Sequence, residues 1–181
     1  WPIPGGSALM LVLVGFSLAR FQSRNFIKGN WTGLLRPLMM VLLPYACVVL
    51  AYSIAWQQIP WASVLLIGNF AIATPEQQMM LPYLYWFVEI YTQILLIFTG
   101  LAFLPQARNA VARNPFAAGL CMLAAAIAAR FVMPSFIDIG NRQIFTLYWN
   151  LHLVAFGWCA CFAASRREKA ALFSLAAVLF F

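Results

Sequence analysis

The chain has 181 residues, 65% hydrophobic and 8% charged, with a mean hydropathy of +0.87. Soluble domains hold about 45–50% apolar and 25% charged residues, so a water-soluble globular domain is excluded and a polytopic membrane protein is expected. The net charge of +7 then reads as loop topology. No basic run interleaves with a soluble aromatic surface, so nucleic acid is not an expected partner.

After a Pro/Gly-rich start, "SALMLVLVGFSLARF" predicts a helix over residues 7–21, followed by the basic loop "QSRNFIKGNWTG". A second helix is expected over 34–56, with Pro44 as a kink whose lost hydrogen bond must be replaced locally. The segment "ASVLLIGNFAIA" (62–73) has twelve residues, fewer than the roughly 17–25 a span requires. A third helix is expected over 81–104, with Pro82 in its first turn, where a missing N–H costs nothing. The basic loop "PQARNAVARNP" follows, then a helix over 116–133, the polar loop "PSFIDIGNRQ", a helix over 144–164, the cluster "SRREK" and a last helix from Ala170. The expectation is an all-α bundle of about six spanning helices and one short re-entrant or interfacial segment. It forms a single transmembrane domain over residues 1–181. A start at Trp1 and an end inside "AALFSLAAVLFF" read as a fragment truncated at both ends.

Charge decides the topology. If segment 62–73 does not cross, Arg20, Arg24, Lys28, Arg36, Arg108, Arg113, Arg166, Arg167 and Lys169 share one side, nine of the eleven basic residues. If it crosses, the first four join Arg130 and Arg142, six against five. The positive-inside rule selects the first arrangement, which puts the 57–80 connection, with Glu76, on the outer face.

Glu89 then lies about 12 Å below the outer start of its helix at about 1.5 Å per residue. An ionised side chain at mid-bilayer costs about 2.5–3.5 kcal/mol on insertion scales. Trp86, Glu89 and Gln93 recur at helical spacing with Tyr85 one turn above and Thr92 below. Together they form a polar seam facing a bundle interior, or mark a structural carboxyl bonded to a neighbouring helix. Arg20, Arg24 and Arg36 can hold phosphates in bidentate fashion, or simply set topology and touch lipid headgroups. His152, the single histidine, sits with Trp149 and Asn150 as a hydrogen-bonded packing residue or a general base. Asp138 and Arg142 are one turn apart and suited to pair, and Arg130 near a helix end can snorkel. Cys47, Cys121, Cys159 and Cys161 lie in apolar runs and read as packing residues, with no metal spacing. GxSxG, HExxH, P-loop and GxGxxG patterns are absent.

Three stretches in order resemble the acyltransferase family 3 membrane proteins. "GGSALMLVLVGFSLARF" is similar to the family's second helix with its Gly-Phe block, here Gly15-Phe16. "LLRPLMMVLLPY" is similar to its arginine-led third helix, here Arg36, Pro44 and Tyr45. "YWFVEIYTQILLI" is similar to its tryptophan-to-glutamate block, here Trp86 and Glu89. The resemblance covers roughly the first 105 residues. It implies an inner-membrane, multi-pass bundle of about ten helices with no tightly bound cofactor. It also implies transfer of an acyl group from acyl-coenzyme A to a hydroxyl of a carbohydrate or metabolite acceptor. Arg20, Arg24 and Arg36 would hold the donor phosphates, and Glu89, Trp86, Gln93 and Tyr85 would line the chamber. The catalytic histidine is implied on a helix upstream of Trp1, so the fragment alone is expected to be inactive, and His152 is not its counterpart. Val14 stands where serine is common, and Met40 or Val41 where a second arginine is usual. These departures leave open a carrier-bound thioester as donor and a non-catalytic member. From the residues alone, a secondary transporter with Glu89 as its intramembrane carboxylate, or a structural membrane subunit, is the rival.

Single cysteines at Asn30, Asn109 and Ser165, in a background without the native cysteines, should react with an impermeant maleimide from one face and a cysteine at Gln58 from the other. Labelling of Asn30 and Asn109 from opposite faces would show that segment 62–73 crosses.

Overall fold

The computed structural model describes residues 5–70, 80–137 and 140–180, and every regular element among them is helical. Helix α1 (Gly5–Ser17) continues through a π-helical segment (Leu18–Gln22) into α2 (Ser23–Lys28). Helical backbone therefore runs past residue 21, where the basic loop was expected. Arg20 and Arg24 both ride on it, exposed. Gly29 closes α2 at a φ of 64°, a conformation glycine takes without steric cost. Asn30 then caps α3 (Trp31–Trp56), its Oδ1 accepting from the Gly33 N–H at 3.5 Å. The helix starts three residues earlier than expected and runs through both Pro37 and Pro44.

The described part of segment 62–73, residues 62–70, holds no helix long enough to span. Trp61–Val64 is a four-residue helix, α4, and Gly68–Phe70 a single 3-10 turn. Helix α5 (Met80–Leu101) follows, then α6 (Pro105–Arg113), bent 95° from it. The expected basic loop is thus largely helix. Pro105 occupies the first turn, where its missing N–H is harmless, and Val111 is buried, anchoring the apolar side. Asn114 caps α7 (Pro115–Val132), its Oδ1 accepting from Ala117 N–H at 2.9 Å. Two 3-10 turns (Met133–Ser135 and Gly140–Phe145) lead to α8 (Leu147–Phe162). Helix α9 (Arg166–Phe180) begins inside the basic cluster, four residues before the expected Ala170. Ser165 and Glu168 start it as a reciprocal cap: Glu168 accepts from Ala164 and Ser165 N–H at 2.9 and 2.8 Å, and its own N–H donates to Ser165 Oγ at 3.2 Å.

Three helical stretches are long and apolar enough to cross a membrane: Gly6–Lys28, Trp31–Trp56 and Pro115–Ser135. The bent α5–α6 pair makes a fourth if it counts as one span. The expected count of about six is larger than this, since α8 has 16 residues and α9 15. Glu76 and Asp138 lie outside the described residues, and with them the expected Asp138–Arg142 pair.

Helix α8 is the centre. It packs on α1 along one side and α7 along another, and is buried nearly all round, as a helix apolar on every face should be. Glycines set the spacing. A Cβ on Gly15 of α1 would land on the carbonyl oxygen of Val154, and one on Gly157 of α8 on that of Val12. Such backbone approach is how helices associate where lipid tails remove the hydrophobic drive. Large side chains such as Leu13, Leu43, Ile54 and Phe173 stay exposed on the outside, a surface suited to hydrocarbon. Trp158 ties α8 to α7, its Nε1–H donating to Pro115 O at 3.0 Å. Cys159 is buried against α7, whereas Cys47 and Cys121 face outwards and fill no core, contrary to the packing role expected for them.

Gly15→Ala should lower the thermal midpoint of the detergent-solubilised protein by an amount matching about 1–3 kcal/mol of overpacking. Gly100→Ala, where a Cβ meets nothing within 4 Å, should be neutral or gain up to about 1 kcal/mol in helix propensity. Equal midpoints for both variants would contradict the close α1–α8 approach.

Candidate functional site

Glu89 is fully buried, and the protein supplies its partners from two other elements. Tyr45 on α3 donates its hydroxyl to Oε1 at 2.5 Å, and the backbone N–H of Asn69, in the 3-10 turn after α4, donates to Oε2 at 2.5 Å. The Tyr45 hydroxyl also lies 3.2 Å from the carbonyl of Ser63. A Cβ on Gly68 would come within 2.7 Å of Glu89 Oε1 and 2.8 Å of Ser63 Oγ, so glycine is what lets the turn close over the carboxyl.

One helical turn below, Gln93 repeats the pattern. Its Nε2 donates to Leu66 O at 2.5 Å and to Asn69 Oδ1 at 3.1 Å, and Asn69 Nδ2 returns a bond to Gln93 Oε1 at 3.3 Å. Asn69 Nδ2 also reaches Phe145 O at 3.3 Å, in the turn before α8. Leu66 has a φ of 60°, a left-handed conformation that costs a residue with a Cβ roughly 1–2 kcal/mol. Gln93 holds its carbonyl in place.

The four α5 residues singled out from sequence therefore face α3, segment 61–70 and the turn before α8. Glu89 and Gln93 bond segment 61–70 directly. Tyr85 meets the Tyr45 ring edge-on at 6.2 Å, and Trp86 stacks against Phe145 at 5.4 Å. Tyr85 also lines a cavity of about 290 Å³ with Met40, Val41, Pro44, Tyr45, Val48 and Val88, which Glu89 does not reach. Chemically, Glu89 has both oxygens engaged and no exposed surface. It fastens segment 61–70 to the bundle.

Arg20, Arg24 and Arg36 are exposed at the other end. The tight α2–α3 turn brings them to one end of the bundle: Asn30 N–H donates to Asn25 O at 2.9 Å, and Asn30 Nδ2 to Asn25 Oδ1 at 3.2 Å. Arg108 of α6 joins that end, its guanidinium resting over Gly29.

A second buried polar contact was not anticipated. Arg130 was expected to snorkel, yet it is 8% exposed, 4.2 Å above the Trp149 ring, with Nη1 3.3 Å from His152 Nε2. It turns inward because Gly119, Leu123, Ala126 and Arg130 form the buried stripe of α7, where small neighbours leave room for a long side chain. An arginine can only donate, so Nε2 of His152 accepts and the ring proton belongs on Nδ1. Asn150 bonds back to Ile144 and Thr146 carbonyls at 2.7 and 2.9 Å. Among the described residues, no group of three or more His, Cys, Asp or Glu could hold a metal ion.

No family model, curated protein or solved structure matches this chain.

Loss of Glu89 leaves the Asn69 N–H unsatisfied, at about 1–3 kcal/mol for a buried group, and leaves the Tyr45 hydroxyl only its 3.2 Å contact with Ser63 O. Glu89→Ala should therefore expose segment 61–70 to protease and lower thermal stability more than Tyr45→Phe does. Glu89→Gln should be milder still, because its amide can accept from Asn69 and donate to a Tyr45 hydroxyl that turns to Ser63. A segment that stays protected in Glu89→Ala would contradict the fastening role.

Proposed function

We propose that this chain is part of an integral-membrane O-acyltransferase of the inner membrane. It moves an acyl group from acyl-coenzyme A, or a carrier-bound thioester, to a hydroxyl of a carbohydrate or metabolite. In this reading α1–α2, α3, α5, α7, α8 and α9 make up six spans. One observation carries the reading. Two of the sequence blocks that resemble acyltransferase family 3 contain Tyr45 and Glu89, and these two side chains, far apart in sequence, share a buried hydrogen bond.

Each group then has a physical task. Arg20, Arg24 and Arg36, exposed at the basic end, offer forked donors for the phosphates of the donor. A histidine outside these residues takes the proton from the acceptor hydroxyl. The oxygen attacks the thioester carbonyl carbon, the C–S bond breaks, and the leaving thiolate takes the proton back from the imidazolium. General-base assistance of this kind is worth about 10²–10⁴-fold. Glu89 and Gln93 act at a distance from the reacting atoms by holding segment 61–70, and with it Trp86 and Tyr85, at the outer end. They are positioning residues.

Membranes containing the full-length protein, given radiolabelled acyl-coenzyme A and a cell-envelope carbohydrate extract, should convert thioester label into alkali-labile ester. Glu89→Ala should reduce that transfer at least about tenfold, while Glu89→Gln keeps a larger share. Proton-coupled flux in sealed vesicles with no acyl donor, and no ester formed, would replace the enzyme by a transporter.

A further inference from the structure

A separate slot of about 450 Å³ lies between α1, its π segment, α3 and α5, within the roughly 300–1,000 Å³ usual for small-molecule sites. Its walls are mostly apolar, Met10, Leu13 and Phe87 among them, with three polar groups, Ser17, Gln22 and Tyr91. Lining residues run from Met10 to Gln22 along α1, a rise of roughly 18 Å. That is more than half of a hydrocarbon core about 30 Å thick. Met10 and Leu13 are each 53% exposed, so the slot opens sideways on the lipid-facing surface.

Charge marks one end of it. Arg20 precedes the lining residue Phe21, Arg24 follows it by one turn, and Arg36 precedes Pro37. The chain has four carboxylates against eleven basic residues. Glu89 is engaged by Tyr45 and Asn69, and Glu168 by its own helix cap. Among the described residues these are the two carboxylates, and neither bonds these arginines. One apolar tail about as long as a leaflet is deep, joined to a multiply anionic head, has the matching shape and charge.

We propose that this slot takes the acyl tail of a long-chain donor thioester, whose phosphates lie on Arg20, Arg24 and Arg36. The donor's identity rests on the acyl-transfer reading; occupation of the slot by a chain can be tested separately. A bilayer phospholipid offers a similar tail and phosphate, so the experiment needs an arm for it.

Full-length protein in phosphatidylcholine nanodiscs would be titrated with acetyl-, octanoyl- and palmitoyl-coenzyme A, with empty nanodiscs correcting for partition. A photoreactive palmitoyl-coenzyme A would be cross-linked with and without phosphatidylglycerol. Affinity should rise at least about tenfold from acetyl to palmitoyl, and cross-links should map to α1 and Tyr91. Val14→Phe, which fills the slot, should cut that gain below about threefold and leave acetyl-coenzyme A binding unchanged. Ser17→Leu at the exposed rim serves if Val14→Phe yields no folded protein. Arg24→Ala should weaken all three ligands alike. Affinity independent of chain length, a gain untouched by the filling variants, or displacement of the cross-link by phosphatidylglycerol would overturn the proposal. Chain-dependent binding without ester formation would remove the acyl-transfer reading and keep the slot. Ester formation with chain-independent binding would do the reverse.

Discussion

A carboxyl group inside an apolar bundle must receive its hydrogen bonds from the protein, because lipid tails offer none. Glu89 receives one from a side chain, Tyr45, and one from a backbone N–H, Asn69. That second donor has consequences beyond Glu89 itself. A backbone N–H is free where no helical hydrogen bond already uses it, as in a short turn such as Gly68–Phe70. Segment 61–70 supplies that donor, with Ala62, Ser63, Gly68 and Asn69 buried against the bundle while Trp61, Val64, Leu65 and Ile67 face outwards. The short α4, the glycine at position 68 and the left-handed Leu66 all belong to this segment, with Gln93 holding the far side.

Much of this was legible in the sequence. Composition gave the apolar, all-helical character and hydropathy the long helices, and the shortness of segment 62–73 agrees with its described part, which holds only a four-residue helix and a 3-10 turn. The α5 stripe of Trp86, Glu89 and Gln93 was visible from spacing, and its members meet Phe145, Asn69 and Leu66. The partners were not visible. Asn69 reaches Glu89 through its backbone, which no side-chain pattern reveals, and Tyr45 lies 44 residues from Glu89. Helix ends were missed for local reasons. The stretch from Gln22 to Lys28 is polar enough to resemble a loop, and α6 is short, so its amphipathic Ala107–Val111 pairing was masked by its charges. Arg130 shows a different failure. A charged residue near a helix end snorkels if it lies on the outer side and is buried if it lies on the small-residue stripe. The Gly119, Leu123, Ala126 spacing already contained that answer.

The molecule divides its chemistry between two ends. At the outer end, hydrogen bonds fix a non-helical segment against α5 and the turn before α8. At the basic end, three exposed arginines adjoin an apolar slot on the membrane-facing side. Helix α5 connects the two, carrying Glu89 and Gln93 for the first and Phe87 and Tyr91 for the second. The glycine-mediated contact of α1 with α8 fixes the wall on which the slot depends.

The central claim is that Tyr45 and Glu89 are bonded to each other, and a double-mutant cycle measures it most directly. Thermal or denaturant stabilities of the unmodified protein, Tyr45→Phe, Glu89→Ala and the double variant give the coupling. Residues in contact couple by about 0.5–3 kcal/mol, and a value above about 1 kcal/mol is expected for this buried pair. Additive effects, with coupling near zero, would mean that the two side chains do not meet and that segment 61–70 is held by something else.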